Sequence, residues 1–318
     1  MTKLILIGFG PVGQILCSQI LQRPNIQLVG VVDSDQNKIG QSISNFIEGA
    51  PKDIAVVENL SQVSQIPDVA CLATSSHLVQ IFDSLKECAE RNINVVSTCE
   101  ELIFPWRHHQ ELATQIDRLG TAHNISILGT GVNPGFLMDY LPIALSGLCA
   151  NVESIQIERI QNAQTRRRPF QNKIGAGLKR TEFEQQKQLG RLGHIGLKES
   201  ADMIAYAMNW TLTKFEETFE PLMDDRDDLV SGIRQTYVGI FQNAEKIKLT
   251  FSASLNENNP RDHFIFNAKP NFELTIPGAI QGDIGTTSII LNAANKIVHA
   301  KAGLRTMLDM PVIHSIGV

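Results

Sequence analysis

The sequence predicts an α/β chain in which an N-terminal doubly wound parallel sheet is interrupted by an inserted α+β domain carrying a mixed, open sheet. Three observations predict it. Residues 4–7, 28–32 and 69–73 are short unbroken apolar runs, the pattern of strands buried on both faces of a parallel sheet, with helical stretches between them. From Val152 the pattern changes to apolar residues alternating with polar ones, which suits an antiparallel strand. After residue 284 helical spacing returns, so the chain is expected to end in the domain in which it began.

The first strand, residues 4–7, runs into Gly8, Gly10 and Gly13. Gly8 allows a tight turn, Gly10 lets backbone approach a pyrophosphate, and Gly13 permits close packing of the next helix, in which Pro11 suits the first turn and Val12 follows it. Alone, this spacing also describes a turn with no ligand. The second run, 28–32, ends in Asp33, where a carboxylate can bind both ribose hydroxyls of an adenosine. Together they point to a Rossmann dinucleotide site. Asp33 would repel a 2′-phosphate, so NAD is favoured, while Lys38 leaves NADP possible.

Residues 34–51 read as polar loop and 54–57 as an edge strand. The strand over 68–73 ends in Thr74, Ser75, Ser76 and His77, small polar residues suited to the cofactor's ribose and nicotinamide side. His77 reads as a helix-capping or surface residue. A helix over 78–91 and a strand over 93–97 lead to Glu100 and Glu101, two adjacent carboxylates at a strand's carboxyl end, where ligands of such sheets bind. Both readings of them stand at this point: reacting groups, or acids opening a helix. His108 and His109 read as surface residues before a helix over 110–122, and a strand over 126–128 completes the half. The run GTGVNPGF at 129–136 demands an ordered turn, with Asn133 able to bind an amide or simply to form that turn. An apolar helix is expected over 137–148.

Beyond it, alternation marks strands at 152–160, 232–241, 246–254 and 264–274, with a helix over 199–210 and a Gly-rich polar segment before it. The expected sheet is open, one face covered by helix and the other meeting a second subunit. The terminal helix carries Ile289, Ile290, Ala293, Ile297 and Val298. The expected division is 1–132, completed by a C-terminal helix over 284–318, for the dinucleotide-binding domain and 133–283 for a substrate and dimerisation domain.

Composition bounds the function. Of 318 residues 43% are hydrophobic and 19% charged, with a net charge of −5, which gives no basic face for nucleic acid. Five cysteines without a C-x-x-C pair suggest reduced thiols, and no histidine or cysteine pair has metal-ligand spacing. No leader or membrane-length apolar run is evident, so a cytoplasmic protein is expected.

Four segments together resemble one family: GFGPVG at 8–13, VVSTCEELIFPW at 95–106, GTGVNPGFLMDYLP at 129–142 and the terminal GTTSIILNAANKIVHAKAGLRTMLDMPV. They are similar to 2,4-diaminopentanoate dehydrogenase and the related native amine dehydrogenases, which share their architecture with dihydrodipicolinate reductase. GHIGLKES at 193–200 and RRRPFQNKIGAGL from 166 extend the resemblance along nearly the whole chain. It implies NAD(P)-dependent oxidative deamination of an amine to a ketone, or its reversal with ammonia, with a glutamate of the E-E-L segment beside the nicotinamide. That maps to Glu100 or Glu101, Glu100 standing nearer the strand end. Phe136 and Tyr140 then become candidates for an apolar pocket wall, and Arg168 and His194 for the substrate pocket. The RRR run at 166–168 can hold a substrate carboxylate or be a solvated loop. The chain lacks the histidine- and lysine-rich run of dihydrodipicolinate reductase between 150 and 200, and has Glu100 where homoserine dehydrogenases place a lysine. A ketone or semialdehyde reductase of that second type, and a non-catalytic NAD sensor, are the competing readings. A homodimer is expected.

Overall fold

The computed structural model describes residues 1–224 and 228–315, and the chain divides into two compact units, Met1–Phe136 with Gln281–Val318, and Leu137–Ile280. In the first unit β1 (Thr2–Ile7) leads through the glycine turn to α1 (Pro11–Leu21) and β2 (Ile26–Val32). Then come β3 (Val56–Val57), β4 (Val69–Leu72), α2 (Leu78–Glu90), β5 (Asn94–Ser97), α3 (Gln110–Ala122) and β6 (Ser126–Gly129). The second unit contains α4 (Tyr140–Ser146), β7 (Asn151–Asn162), α5 (Arg168–Lys173), α6 (Arg180–Gln188) and α7 (Leu197–Ala207). It continues with β8 (Lys214–Met223), β9 (Val230–Phe241), β10 (Ala244–Ser254), β11 (Arg261–Lys269) and β12 (Phe272–Pro277). The chain then returns to the first unit with α8 (Gly282–Ile297) and β13 (Gly303–Arg305).

The seven strands of the first unit pair in parallel in the order β13-β6-β5-β4-β1-β2-β3. Covering of both faces explains the unbroken apolar runs: Leu4, Ile5 and Leu6 are fully buried. Ile5 and Ile7 join one core with α2 and α3, while Leu6 points to the side of α1. On that side α8 packs against α1, β4 and β5, burying Ile290, Leu291, Ala293, Ala294 and Ile297. The carboxyl ends of β1, β4 and β5 therefore open at one edge, where the loops after them meet.

The six-stranded sheet of the second unit runs β12-β11-β7-β10-β9-β8, with β7 and β10 parallel and the other pairs antiparallel, so it is mixed. α7 packs on β9 and β10. Residues in register share a face, and one row crosses the sheet as Gln235, Phe251, Arg159 and Asp262. Neighbouring rows on that face hold Ile155, Ile157, Leu249, Phe264 and Phe266, all buried. The opposite face carries Gln156, Glu158, Arg234, Lys248 and His263.

The sequence reading and the structure differ locally. The helix expected from residue 137 starts at Tyr140, because the Asp139 carboxylate accepts the Tyr140 N–H at 2.6 Å. The alternating run 264–274 is two strands joined at Pro270 and Asn271, where Asn271 Oδ1 accepts the Ala268 N–H at 2.7 Å. β8, α5 and α6 lie where the pattern gave no element, and the terminal helix expected over 284–318 ends at Ile297: Gly303, at φ +113°, opens β13, which pairs with β6, and residues 316–318 of that span lie outside the described residues.

Candidate active site

The turn between β1 and α1 is built by contact. Gly8 lies at φ +96°, and a Cβ there would stand 2.6 Å from the Ala73 carbonyl oxygen. A Cβ on Gly13 would overlap the Gly8 carbonyl oxygen, so both glycines are demanded by the fold. Gly10 is different. Its φ of −74° suits any residue and nothing lies within 4 Å of its Cβ position, so the protein itself gives no reason for glycine there. A group approaching from outside would, and the adjacent start of α1, capped by no side chain and with Pro11 exposed in its first turn, has backbone N–H groups such as that of Val12 that could meet an anion. At the tip of β2 the Asp33 carboxylate accepts the Phe9 N–H at 2.6 Å and the Asp35 N–H at 2.8 Å, with Lys38 Nζ at 3.4 Å. These bonds hold the acid against the glycine turn. The residues present thus fit a dinucleotide.

The loop after β4 is stitched to the segment after β5. The Thr98 N–H and Ser97 Oγ donate to the Leu72 carbonyl, at 3.0 and 3.2 Å. The Cys99 thiol and Glu101 N–H converge on the Ser76 carbonyl, at 3.2 and 3.3 Å. Thr74 is exposed beside the glycine turn, and Ser75 is bound into the approach to α2, its Oγ accepting the His77 N–H at 3.1 Å. Glu100 and Glu101 open a single 3-10 turn, Glu100–Leu102, and have separate environments. Glu100 is half-buried. Glu101 is 8% exposed, its Oε2 accepting the Leu78 N–H at 2.7 Å and its Oε1 lying 3.0 Å from His77 Nδ1. His109 Nε2 stands 3.5 Å from the same carboxylate. Burial pulls the Glu101 carboxyl upward in pKa, but the Leu78 N–H, then His77 and His109, outweigh it and hold the group below the ordinary carboxylate range. His109, expected at the surface, therefore lies against the site; His108 is exposed.

Asn133 and Phe136 are half-buried in the turns after β6, where Gly135 takes φ +115° and the Val132 N–H donates to Thr286 Oγ1 at 3.3 Å. In the second unit, Tyr140 is the half-buried first residue of α4. His194 stacks on Phe251 with ring centroids 4.4 Å apart, and its backbone N–H donates to Gln235 Oε1 at 2.9 Å. Burial first, then the charges of Lys173, Arg159 and Arg166, push its pKa well below the ordinary 6.5. Arg159 is 2% exposed, paired with Asp262 at 2.5 Å and donating to the Ile280 carbonyl at 2.8 Å. Arg166 Nη1 reaches Gln161 Oε1 at 3.1 Å. Arg168, by contrast, is exposed at the start of α5 and bonds Gln171 at 3.4 Å, and it is Arg166 of the basic run whose charge acts on His194.

Residues 136–317 match the family model of the 2,4-diaminopentanoate dehydrogenase C-terminal domain, and residues 2–99 that of the dihydrodipicolinate reductase N-terminus. The 2,4-diaminopentanoate dehydrogenase of Acetoanaerobium sticklandii is 31% identical over 99% of this chain and 94% of its own. The chain belongs to the 2,4-diaminopentanoate dehydrogenase family. It is accordingly an NAD(P)-dependent oxidoreductase acting on an amine. The fold is shared with an amine dehydrogenase from Mycobacterium smegmatis, at TM-score 0.85 and 18% identity over 99% of this chain and 97% of that one. A dihydrodipicolinate reductase from Paenisporosarcina follows at TM-score 0.55 and 16% identity, over 95% and 96%.

For this member of the family, three residues beside the candidate groups escaped the sequence reading: Arg159, Lys173 and His109. Arg159 did leave a signal, because it continues the inward-facing series Ile155, Ile157 of β7 with a charged residue. Among the described residues no group of three or more histidine, cysteine or acidic side chains is arranged to hold a metal ion, and no helix is long and apolar enough to cross a membrane.

Proposed function

We propose that the protein catalyses the reversible oxidative deamination of a carboxylate-bearing amine, of the diamino-acid class, to a ketone and ammonia, with Glu100 as the proton acceptor and NAD preferred over NADP. The observation that carries the reading is the carboxylate pair at the carboxyl end of β5: Glu101 is held in its charged form by Leu78, His77 and His109, and Glu100 stands nearer the strand end, where ligands of such sheets bind. The family's first relative, named for a diamino acid, supports the substrate class.

Gly10, Pro11, Val12 and their glycine neighbours would hold the pyrophosphate, Asp33 the adenosine ribose, and Thr74, Ser75 and Asn133 the nicotinamide side. When bound, the nicotinamide supplies the hydride acceptor, or the donor in the reverse direction. The chain supplies the proton transfers. An amine gives up hydride only as the free base, so an ionised Glu100 takes a proton from the substrate ammonium. Once it has passed that proton to solvent, the ionised Glu100 stabilises the cationic imine electrostatically, takes a proton from the attacking water and gives it to the amino group, which leaves as ammonia while the hydroxyl proton of the carbinolamine goes to solvent. We assign the substrate carboxylate to Arg166, Lys173 and His194 of the second unit: guanidinium groups bind carboxylates through paired N–H donors. Phe136 would wall the reacting carbon. A carboxylate at Asp33 disfavours a 2′-phosphate, although Lys38 lies beside it. The polar face of the second sheet would meet a second copy, for which sedimentation should give about twice 35.1 kDa.

Steady-state oxidation of 2,4-diaminopentanoate and of butane-1,3-diamine, which lacks only its carboxylate, tests the reading with NAD and NADP. Expected is a loss of about a hundredfold or more in kcat/KM for the diamine, shrinking in Arg166→Met, and higher kcat/KM with NAD. Equal turnover of both amines would remove the carboxylate site.

A further inference from the structure

Glu101 is positioned as no proton acceptor would be. Its two oxygens are divided between the first N–H of α2 and two imidazoles, so taking a proton would mean surrendering bonds that favour the charged form. It closes a set of contacts between two loops: Ser97 and Thr98 on Leu72, Cys99 and the Glu101 N–H on Ser76, and the Glu101 carboxylate on His77 and Leu78. Glu100 stands between two residues, Cys99 and Glu101, that are both tied to the loop after β4. Its backbone has little freedom while those ties hold.

We propose that Glu101 is a positioning carboxylate, which clamps the loop after β4 and the start of α2 to the strand end carrying Glu100 and acts on the reaction through Glu100 without touching the reacting atoms. The proposal rests on Glu100 being the proton acceptor. The clamp keeps the Glu100 carboxylate in register with the loop that is to face the nicotinamide side. A displacement of about 1 Å there is enough to cost about a hundredfold in rate. The α2 end of the clamp is a helix N-terminus, where an acid adds stability as well as position.

The test compares Glu101→Gln, Glu101→Ala and Glu100→Gln in the full chain, with 2,4-diaminopentanoate and NAD, measuring kcat and KM over the acid limb of the pH profile, NADH binding by fluorescence, and thermal unfolding. Glu101→Ala should lower kcat by about ten- to a hundredfold and lower the melting temperature, yet keep the acid limb, because the titrating base remains. Glu101→Gln, whose amide oxygen still accepts the Leu78 N–H, should recover most of both losses. Glu100→Gln should abolish the limb and leave NADH binding unchanged. Loss of the limb in Glu101→Gln, or an alanine variant less stable but with unaltered kcat, would overturn the inference and leave amine oxidation standing. A limb surviving both glutamine substitutions would overturn the Glu100 assignment, and the inference with it.

Discussion

Within one dipeptide, Glu100 and Glu101 differ by what surrounds them, and the same is true of the basic residues. His194 sits among Lys173, Arg159 and Arg166, on Phe251, and its pKa is depressed by burial and then by those charges. The consequence for stability follows from linkage. A histidine depressed in the folded state binds fewer protons there than in the unfolded chain, so its contribution is fully present above its ordinary 6.5 and is lost as pH falls below it. The melting temperature should therefore fall between about pH 7.5 and about pH 5.5, and His194→Phe, which keeps the stacking on Phe251, should flatten that fall. Equal slopes for the two proteins would show that His194 is not held neutral by the fold. At this scale the sequence was partly legible. Strand-end placement marks Asp33 and the two glutamates as candidates, whereas the bonds that set Glu101 apart from Glu100 come from Leu78 and His109, 23 and 8 residues away from Glu101, which no spacing rule connects to it.

The turn from β1 to α1 separates glycines the fold needs from one it does not. Gly13→Ala would overlap the Gly8 carbonyl oxygen and should destabilise by about 1–3 kcal/mol, as overpacking does. Gly10→Ala has open space and an ordinary backbone, so unfolding should move by no more than about 1 kcal/mol while NADH binding weakens about tenfold or more. Calorimetry beside fluorescence titration checks both, and unaltered NADH binding in Gly10→Ala would remove the pyrophosphate from this turn. Elements with both faces or one face buried were the legible ones: β1, α2, α3 and β7 all carry the periodicity of their burial. β8 was not, because it is an edge strand whose residues are exposed or half-exposed throughout, among them Glu216, Glu217 and Glu220. α6 buries only Phe183 and so left no apolar stripe. β13 has three residues, too few to show a period, and takes its place by pairing with β6.

For the whole molecule, the architecture is that of a parallel sheet opened by an insertion and closed by the chain's return. The change of period at Val152 and its reversal before α8 made this visible, since a strand with one covered face and a helix between covered layers bury different sets of residues. The insertion brings the buried Arg159 and Asp262 pair and the cations whose charge acts on His194 to a chain whose first unit has the glycine turn. The central claim joins these parts: a nicotinamide-dependent enzyme whose Glu100 carboxylate handles the protons of an amine. The most direct test is NADH oxidation with 2-amino-4-oxopentanoate, with and without concentrated ammonium, in the native protein and in Glu100→Gln. The account predicts oxidation only with ammonium, reduced about a hundredfold or more in the variant. NADH oxidation indifferent to ammonium would contradict it and make the protein a carbonyl reductase.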